Sequence, residues 1–357
     1  MDRDESVQIE VVRVFCVMAM MWVHVSPGLS VPSIVNGGSI DWLGRILGHS
    51  LGRVSVTTLS FISGYLLWQT RRSRGLSDIV VRRFVSVIVP MLVWSAVFMI
   101  LAVGKEQLIG HRSSALEGVS PGWFGLLNAW TGLAGPMVND SLFFLRDLFV
   151  ATALLGLVAR LFDRLPVLVV AATLALAMGH LAEPLIFRPS ILFFMALGAW
   201  AALRRQTIEK LSRPLWALSA GTVLIVTAIL LAHLSLEQGS PALRAIDLLR
   251  RAAVGAFVLV LTRTGMRLFD LRRIARWGRH SFLAYLSHAT LIGVLWMVWT
   301  VWIGNENDKS YLIFYLCTPA LIFAVAVFFG RVLDRLPGVV QVLLRGRVHG
   351  AGADRAA

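Results

Sequence analysis

Long apolar runs, separated by short polar and basic stretches, set the pattern of this chain. Ten can be drawn, at about residues 7–25, 49–70, 84–103, 141–160, 166–181, 190–203, 214–234, 246–263, 280–303 and 311–330. Most approach the length an α-helix needs to cross a hydrocarbon core about 30 Å thick. Two carry the weakest pattern, since 190–203 is short and 246–263 contains Arg250 and Arg251. No alternating strand pattern, low-complexity tract or internal repeat interrupts the series. The prediction is an all-α, polytopic transmembrane helix bundle of about ten spans. It forms a single membrane domain over 1–335, with 336–357 as a cytoplasmic tail too short for a further core.

Composition supports that class. Of the 357 residues 57% are hydrophobic and only 15% charged, well below the roughly 25% charged residues of an average globular chain. A net charge of +14 would suit nucleic acid, but the arginines cluster between apolar runs, as orientation signals do. With the N-terminus inside, 23 of the 34 Lys and Arg fall on cytoplasmic segments and nine on outer ones; Arg13 and Arg146 lie within spans. That bias predicts that both termini are cytoplasmic. Cys16 and Cys317 sit in apolar runs without a spacing pattern, so neither a disulfide framework nor a metal site is expected. The first apolar run is long and carries Glu10 and Arg13, unlike the short core of a cleaved signal.

That first run holds the sharpest chemical signal. Arg13 and His24 are eleven residues apart, and eleven helical steps overshoot three whole turns by only about 20°. Both side chains therefore share one helix face, separated by about 16 Å of rise. Glu10 precedes Arg13 by three residues, close enough to pair with it. Ionisable side chains in such a position mark function more often than a snorkelling arginine and a satisfied interfacial histidine.

Elsewhere the candidates are Arg53 at the outer end of the second run, and Ser63-Gly64-Tyr65 within it. Small residues there also suit close helix packing. Arg71, Arg72, Arg74, Arg82 and Arg83 follow within thirteen residues. That density exceeds what topology requires; the positive-inside rule alone is one reading of it, and a phosphate clamp of guanidinium forks is the other. Arg146 and Asp147 open the fourth run. As neighbours they point about 100° apart, so partners on other helices are expected, Glu10 for Arg146 and Arg13 for Asp147. In the ninth run His288 lies inside with Tyr285 and Ser287, and His280 is placed at the interface. His180, Glu183 and His233 border outer loops, where they carry only a weak signal for a substrate cleft.

The Glu10-x-x-Arg13-x10-His24 line resembles the first-helix signature of the acyltransferase-3 family, bacterial integral membrane enzymes that O-acylate glycans. The likeness continues through FISGYLLW, the arginine-rich segment ending at Pro90, LFFLRDL and SFLAYLSHATL, nearly the whole chain in order. Glu10 stands where Asp is common, and Val14 where Gly is usual.

The resemblance implies an acyltransferase of the bacterial inner membrane, of the exopolysaccharide or surface-glycan acetyl- or succinyltransferase type. Its donor would be cytosolic acyl-CoA (acetyl-CoA or succinyl-CoA), its acceptor a hydroxyl of an extracytoplasmic or lipid-linked glycan. His24 would be the general base, with Arg13 holding the donor or a partner and Glu10 fixing Arg13. The arginines at 71, 72, 74, 82 and 83 and Ser63 would serve the donor. Arg53, Arg146, Asp147, Tyr285 and His288 would serve carbonyl or acceptor. The expected company is the acyl-CoA, the glycan and the lipid bilayer, with a homo-oligomer as an option and no nucleic acid. A covalent acyl-histidine stays open. So does a transporter or flippase for a lipid-linked sugar, which intramembrane charges also suit, and beyond it a non-catalytic scaffold.

Overall fold

The computed structural model describes residues 3–25, 45–71, 75–109, 116, 119–135, 137–179, 181, 185–233, 240–305, 308 and 310–347. Among these there are helices and turns but no strand. In chain order the helices are α1 (Arg3–His24), α2 (Arg53–Arg71), α3 (Leu76–Arg83), α4 (Val89–Ile109), α5 (Trp123–Thr131), α6 (Phe143–Leu157), α7 (Ala159–Arg164) and α8 (Pro166–Gly179). After them come α9 (Pro189–Leu203), α10 (Ile208–Leu211), α11 (Pro214–His233), α12 (Pro241–Leu268), α13 (Arg272–Gly278), α14 (Ser281–Trp302), α15 (Tyr311–Leu333) and α16 (Gly338–Arg345). The described residues of the ten apolar runs are mostly helical, several runs being split over more than one helical segment. Short π-helical segments, Arg45–Gly52 and Phe84–Ile88, lead into α2 and α4.

Local chemistry explains where these helices begin and end. α12 starts with the Ser240 hydroxyl accepting from the Leu243 amide at 3.3 Å and Pro241 in the first turn, a favoured combination because both deal with unpaired amides. Thr207 caps α10 in the same way, through the Lys210 amide at 3.2 Å. Gly132 and Gly346 end α5 and α16 at φ +67° and +73°, backbone that a side chain would strain.

Among the described residues four helical stretches are long and apolar enough to cross a membrane: α1, 77–107, α14 and α15. Shorter apolar helices lie at Pro166–Gly179, Pro189–Leu203 and Pro214–Val226. Large apolar side chains such as Ile100, Leu157, Leu218, Val301 and Phe328 face outward. An exposed apolar surface so extensive is what a lipid environment tolerates and water does not.

The chain divides into two compact units of interleaved segments. The first takes Met1–Val23, Val35–Leu76 and Val150–Arg279. Here α2 and α9 press backbone against backbone. A Cβ at Gly64 would come within 2.0 Å of the Met195 carbonyl oxygen, and one at Gly198 within 1.9 Å of that of Phe61. Gly64 thus has the packing role that small residues have between membrane helices. Ile9, Val12, Cys16, Ile62, Tyr65, Ile208, Val258 and Leu259 form the core beside that seam.

The second unit takes His24–Ile34, Ser77–Phe149 and His280–Ala357. Indole groups tie its helices. Trp130 donates to the Leu92 carbonyl at 2.8 Å, and Trp94 to that of Leu344 at 3.0 Å. The described stretch after 335 packs back on this unit. Its helix α16 carries Arg345, which is buried and paired with Asp334 at 2.5 Å, while a Cβ at Gly346 would meet the Ser86 carbonyl at 2.0 Å.

Candidate active site

In the second unit, α14 turns Tyr285 and His288 onto one face because they are three residues apart; both are buried. The Tyr285 hydroxyl donates to the Ser141 carbonyl at 2.5 Å, and the tyrosine ring meets Phe144 edge-on. One turn on, His288 Nδ1 lies 2.5 Å from the Tyr285 carbonyl oxygen. A carbonyl can only accept, so Nδ1 carries the hydrogen, and Nε2 of the neutral ring carries the lone pair. Nε2 is buried and has no hydrogen-bond partner among the described residues. The His24 ring stands 5.1 Å away, centroid to centroid, with the planes at 58°. His24 is half-buried. It is the last residue of α1, and there the chain passes into the second unit.

Arg146 and Asp147 belong to the same unit and pair with each other at 2.8 Å; Asp147 is fully buried and the Arg146 side chain is 11% exposed. This local pair was not expected from the sequence. Divergence of the Cα–Cβ bonds matters less than the length of arginine, whose fork curls back to its neighbour rather than leave a buried carboxylate uncompensated. His280, expected at the interface, is 3% exposed, and its ring fills the space a Cβ at Gly330 would need, with Nδ1 2.1 Å from that position.

In the first unit, Glu10 and Arg13 form the predicted pair at 2.6 Å, about one-third exposed. The second carboxylate oxygen of Glu10 is buried without a partner among the described residues. Gly278, at the end of α13, makes room for it, since a Cβ there would come within 2.4 Å of that oxygen. Arg53 is exposed and Ser63 half-buried on α2. Arg71 grips Asp163 with both nitrogens, at 2.8 and 3.1 Å, and stacks 4.5 Å over Trp68. In the second unit the exposed Arg82 holds Asp78 at 3.0 Å, and Arg83 is half-buried. Arg72, Arg74, His180 and Glu183 lie outside the described residues, as does the side chain of His233.

Two polar residues of α1 escaped the sequence reading. Buried Glu5 accepts from the Tyr65 hydroxyl at 2.6 Å and from the Ile208 amide at 2.9 Å. Buried Gln8 donates to Ser212 at 2.8 Å and to the Leu259 carbonyl at 2.9 Å. Their spacing of three, on the first turns of an apolar helix, was the available signal. The first unit also contains a largely apolar cavity of about 780 Å³, lined in part by Thr58, Phe194, Trp200, Arg204 and Arg251. None of the predicted site residues lines it.

In a chain of apolar helices, two imidazoles in contact are groups capable of acid–base work. The chain belongs to the acyltransferase-3 family: the family's acyltransferase domain matches residues 6–331. It is therefore a multi-pass membrane acyltransferase. Among individual proteins it is similar to the succinoglycan biosynthesis protein ExoH of Rhizobium meliloti (strain 1021), with 31% identity over 371 residues, covering 98% of this chain and 95% of the relative. No solved structure matches the chain.

Proposed function

We propose that this enzyme moves an acetyl or succinyl group from cytosolic acyl-CoA to a hydroxyl of an extracytoplasmic or lipid-linked polysaccharide at the bacterial inner membrane, with His24 as general base. The observation that carries the reading is the half-buried His24 ring, in contact with a second, buried imidazole in a helical membrane protein. The relative's role in succinoglycan biosynthesis supports a polysaccharide acceptor.

In the proposed reaction the acceptor hydroxyl passes its proton to His24 as its oxygen bonds to the thioester carbonyl carbon. The carbon–sulfur bond breaks, and the departing thiolate recovers the proton from His24. His24 ends α1, and the carbonyl end of a helix favours the transient positive charge. Arg13, held by Glu10, serves the donor. Arginines of the 71–83 segment take its phosphates. Arg53 and Arg146 serve the carbonyl or the acceptor.

The test is acyl-CoA cleavage by the purified full-length protein with glycan acceptor, alongside mass spectrometry of the glycan. Wild type should cleave the thioester and acylate the glycan. His24→Ala should lose about 100- to 10,000-fold in rate at unchanged abundance and thermal stability. An intact thioester with wild type would point to a transporter, and an active His24→Ala protein would remove the histidine from the chemistry.

A further inference from the structure

A base on a flexible side chain works only if something decides which nitrogen it presents. In hydrolytic triads a buried carboxylate does this by accepting from the far side of the imidazole. In this unit the buried carboxylate of Asp147 pairs with Arg146. Beside His24 stands His288, and its state follows from the geometry. Its Nδ1 hydrogen is taken by the Tyr285 carbonyl, so Nε2 is a buried acceptor with no partner among the described residues. Such an atom is unfavourable to leave unsatisfied. It sits on a ring whose centroid is 5.1 Å from that of His24. At that spacing a modest rotation of either five-membered ring brings an N–H edge to a lone-pair edge within hydrogen-bond reach.

We propose that His288 is the positioning residue of the site: its Nε2 accepts a hydrogen bond from one nitrogen of His24 and so turns the other, unprotonated nitrogen toward the acceptor hydroxyl. The inference rests on His24 being the base. His288 neither gains nor loses a proton. When His24 takes the hydroxyl proton, the same hydrogen bond becomes charge-assisted and stronger. A neutral imidazole suits a fully buried position better than a carboxylate would, because burying it does not require taking a full charge out of water. Tyr285 is the fixed point of the arrangement, with its hydroxyl on Ser141 and its carbonyl on His288.

Amide replacements separate this role from a structural one. In His288→Asn the amide stands near Nδ1, so it can keep the bond to the Tyr285 carbonyl, but nothing stands at Nε2. In His288→Gln the amide oxygen reaches the neighbourhood of Nε2 and can accept. With the full-length protein in proteoliposomes, acyl-CoA and glycan acceptor, we expect His288→Asn to melt like wild type. Its kcat should fall about 100-fold, within the range of a lost acid–base function, with KM for both substrates unchanged. His288→Gln should recover about tenfold of that loss.

Wild-type kcat in the Asn variant, or a Gln variant no better than Asn, overturns the proposal. The wild-type protein supplies a measurement independent of either variant. The 15N shifts of His24, identified by their absence in His24→Ala, should report one tautomer. An even mixture of tautomers also overturns the proposal. If His24→Ala is itself active, the general-base reading fails first. If it is inactive while His288→Asn is fully active, only the positioning role fails.

Discussion

Two buried polar centres, one in each unit, are built on opposite principles. In the first unit Glu5 is closed: it accepts from both the Tyr65 hydroxyl and the Ile208 amide, tying α2 and the start of α10 to α1. In the second unit His288 is half open: one ring nitrogen is spent on the Tyr285 carbonyl, and the other has no partner among the described residues. Both side chains are buried to a similar degree, so burial does not distinguish them. Satisfaction does. A closed network fixes one arrangement of helices, whereas a buried acceptor left open calls for an explanation, and a functional role is one.

The most severe way to break the comparison is at the seam of the first unit. Gly64→Val would drive a side chain into the Met195 backbone, 2.0 Å from where its Cβ would stand. Backbone cannot yield as a flexible side chain can. The expected loss is at least about 3 kcal/mol, read as a collapse of membrane-fraction yield and of the melting transition. A stable, active Gly64→Val protein would mean that α2 and α9 do not meet there.

A smaller effect sharpens the contrast between the centres. Glu5→Ala strands the Tyr65 hydroxyl and the Ile208 amide, and should cost about 1–3 kcal/mol of stability. kcat per folded molecule should stay at the wild-type value, and Glu5→Gln, which keeps an acceptor, should recover part of the loss. His24→Ala should do the reverse, losing rate and keeping stability. Should Glu5→Ala lose kcat in proportion to its stability, the first-unit network would be part of the chemistry and the division of labour would fail.

How much of this was legible follows from the range of each interaction. The ten helical stretches were readable because hydrophobic length is a local property. Glu10–Arg13 was readable because three-residue spacing fixes which side chains meet. The Arg146–Asp147 pair was not expected, because the angular rule ignores the reach of a side chain as long as arginine. The cover that α15 gives His280 at Gly330 was not legible, because it joins residues far apart in the chain. The approach of His24 to His288 joins residues 264 positions apart. Nothing local to either segment encodes it, although each histidine had been marked as a candidate on its own run. Glu5 and Gln8 were visible as polar letters in an apolar helix, but their partners Tyr65, Ile208, Ser212 and Leu259 were not.

The smallest effect concerns the arginines assigned to the donor's phosphates, two of which already hold carboxylates. Arg71, in the first unit, grips Asp163 and stacks on Trp68; Arg82, in the second, holds Asp78 on an exposed helix face. Exposed pairs of this kind contribute less than about 1 kcal/mol, so a phosphate with two charged oxygens can displace the carboxylate at little expense. Arg71→Gln and Arg82→Gln should therefore each melt within about 1 kcal/mol of wild type, with Arg71 the more affected because it also loses its aromatic contact. If they serve the donor, each raises KM for acyl-CoA, and the rise shrinks as salt is added, while KM for the glycan does not move. A KM for acyl-CoA that ignores both substitutions and ionic strength would return these arginines to a purely structural and topological role.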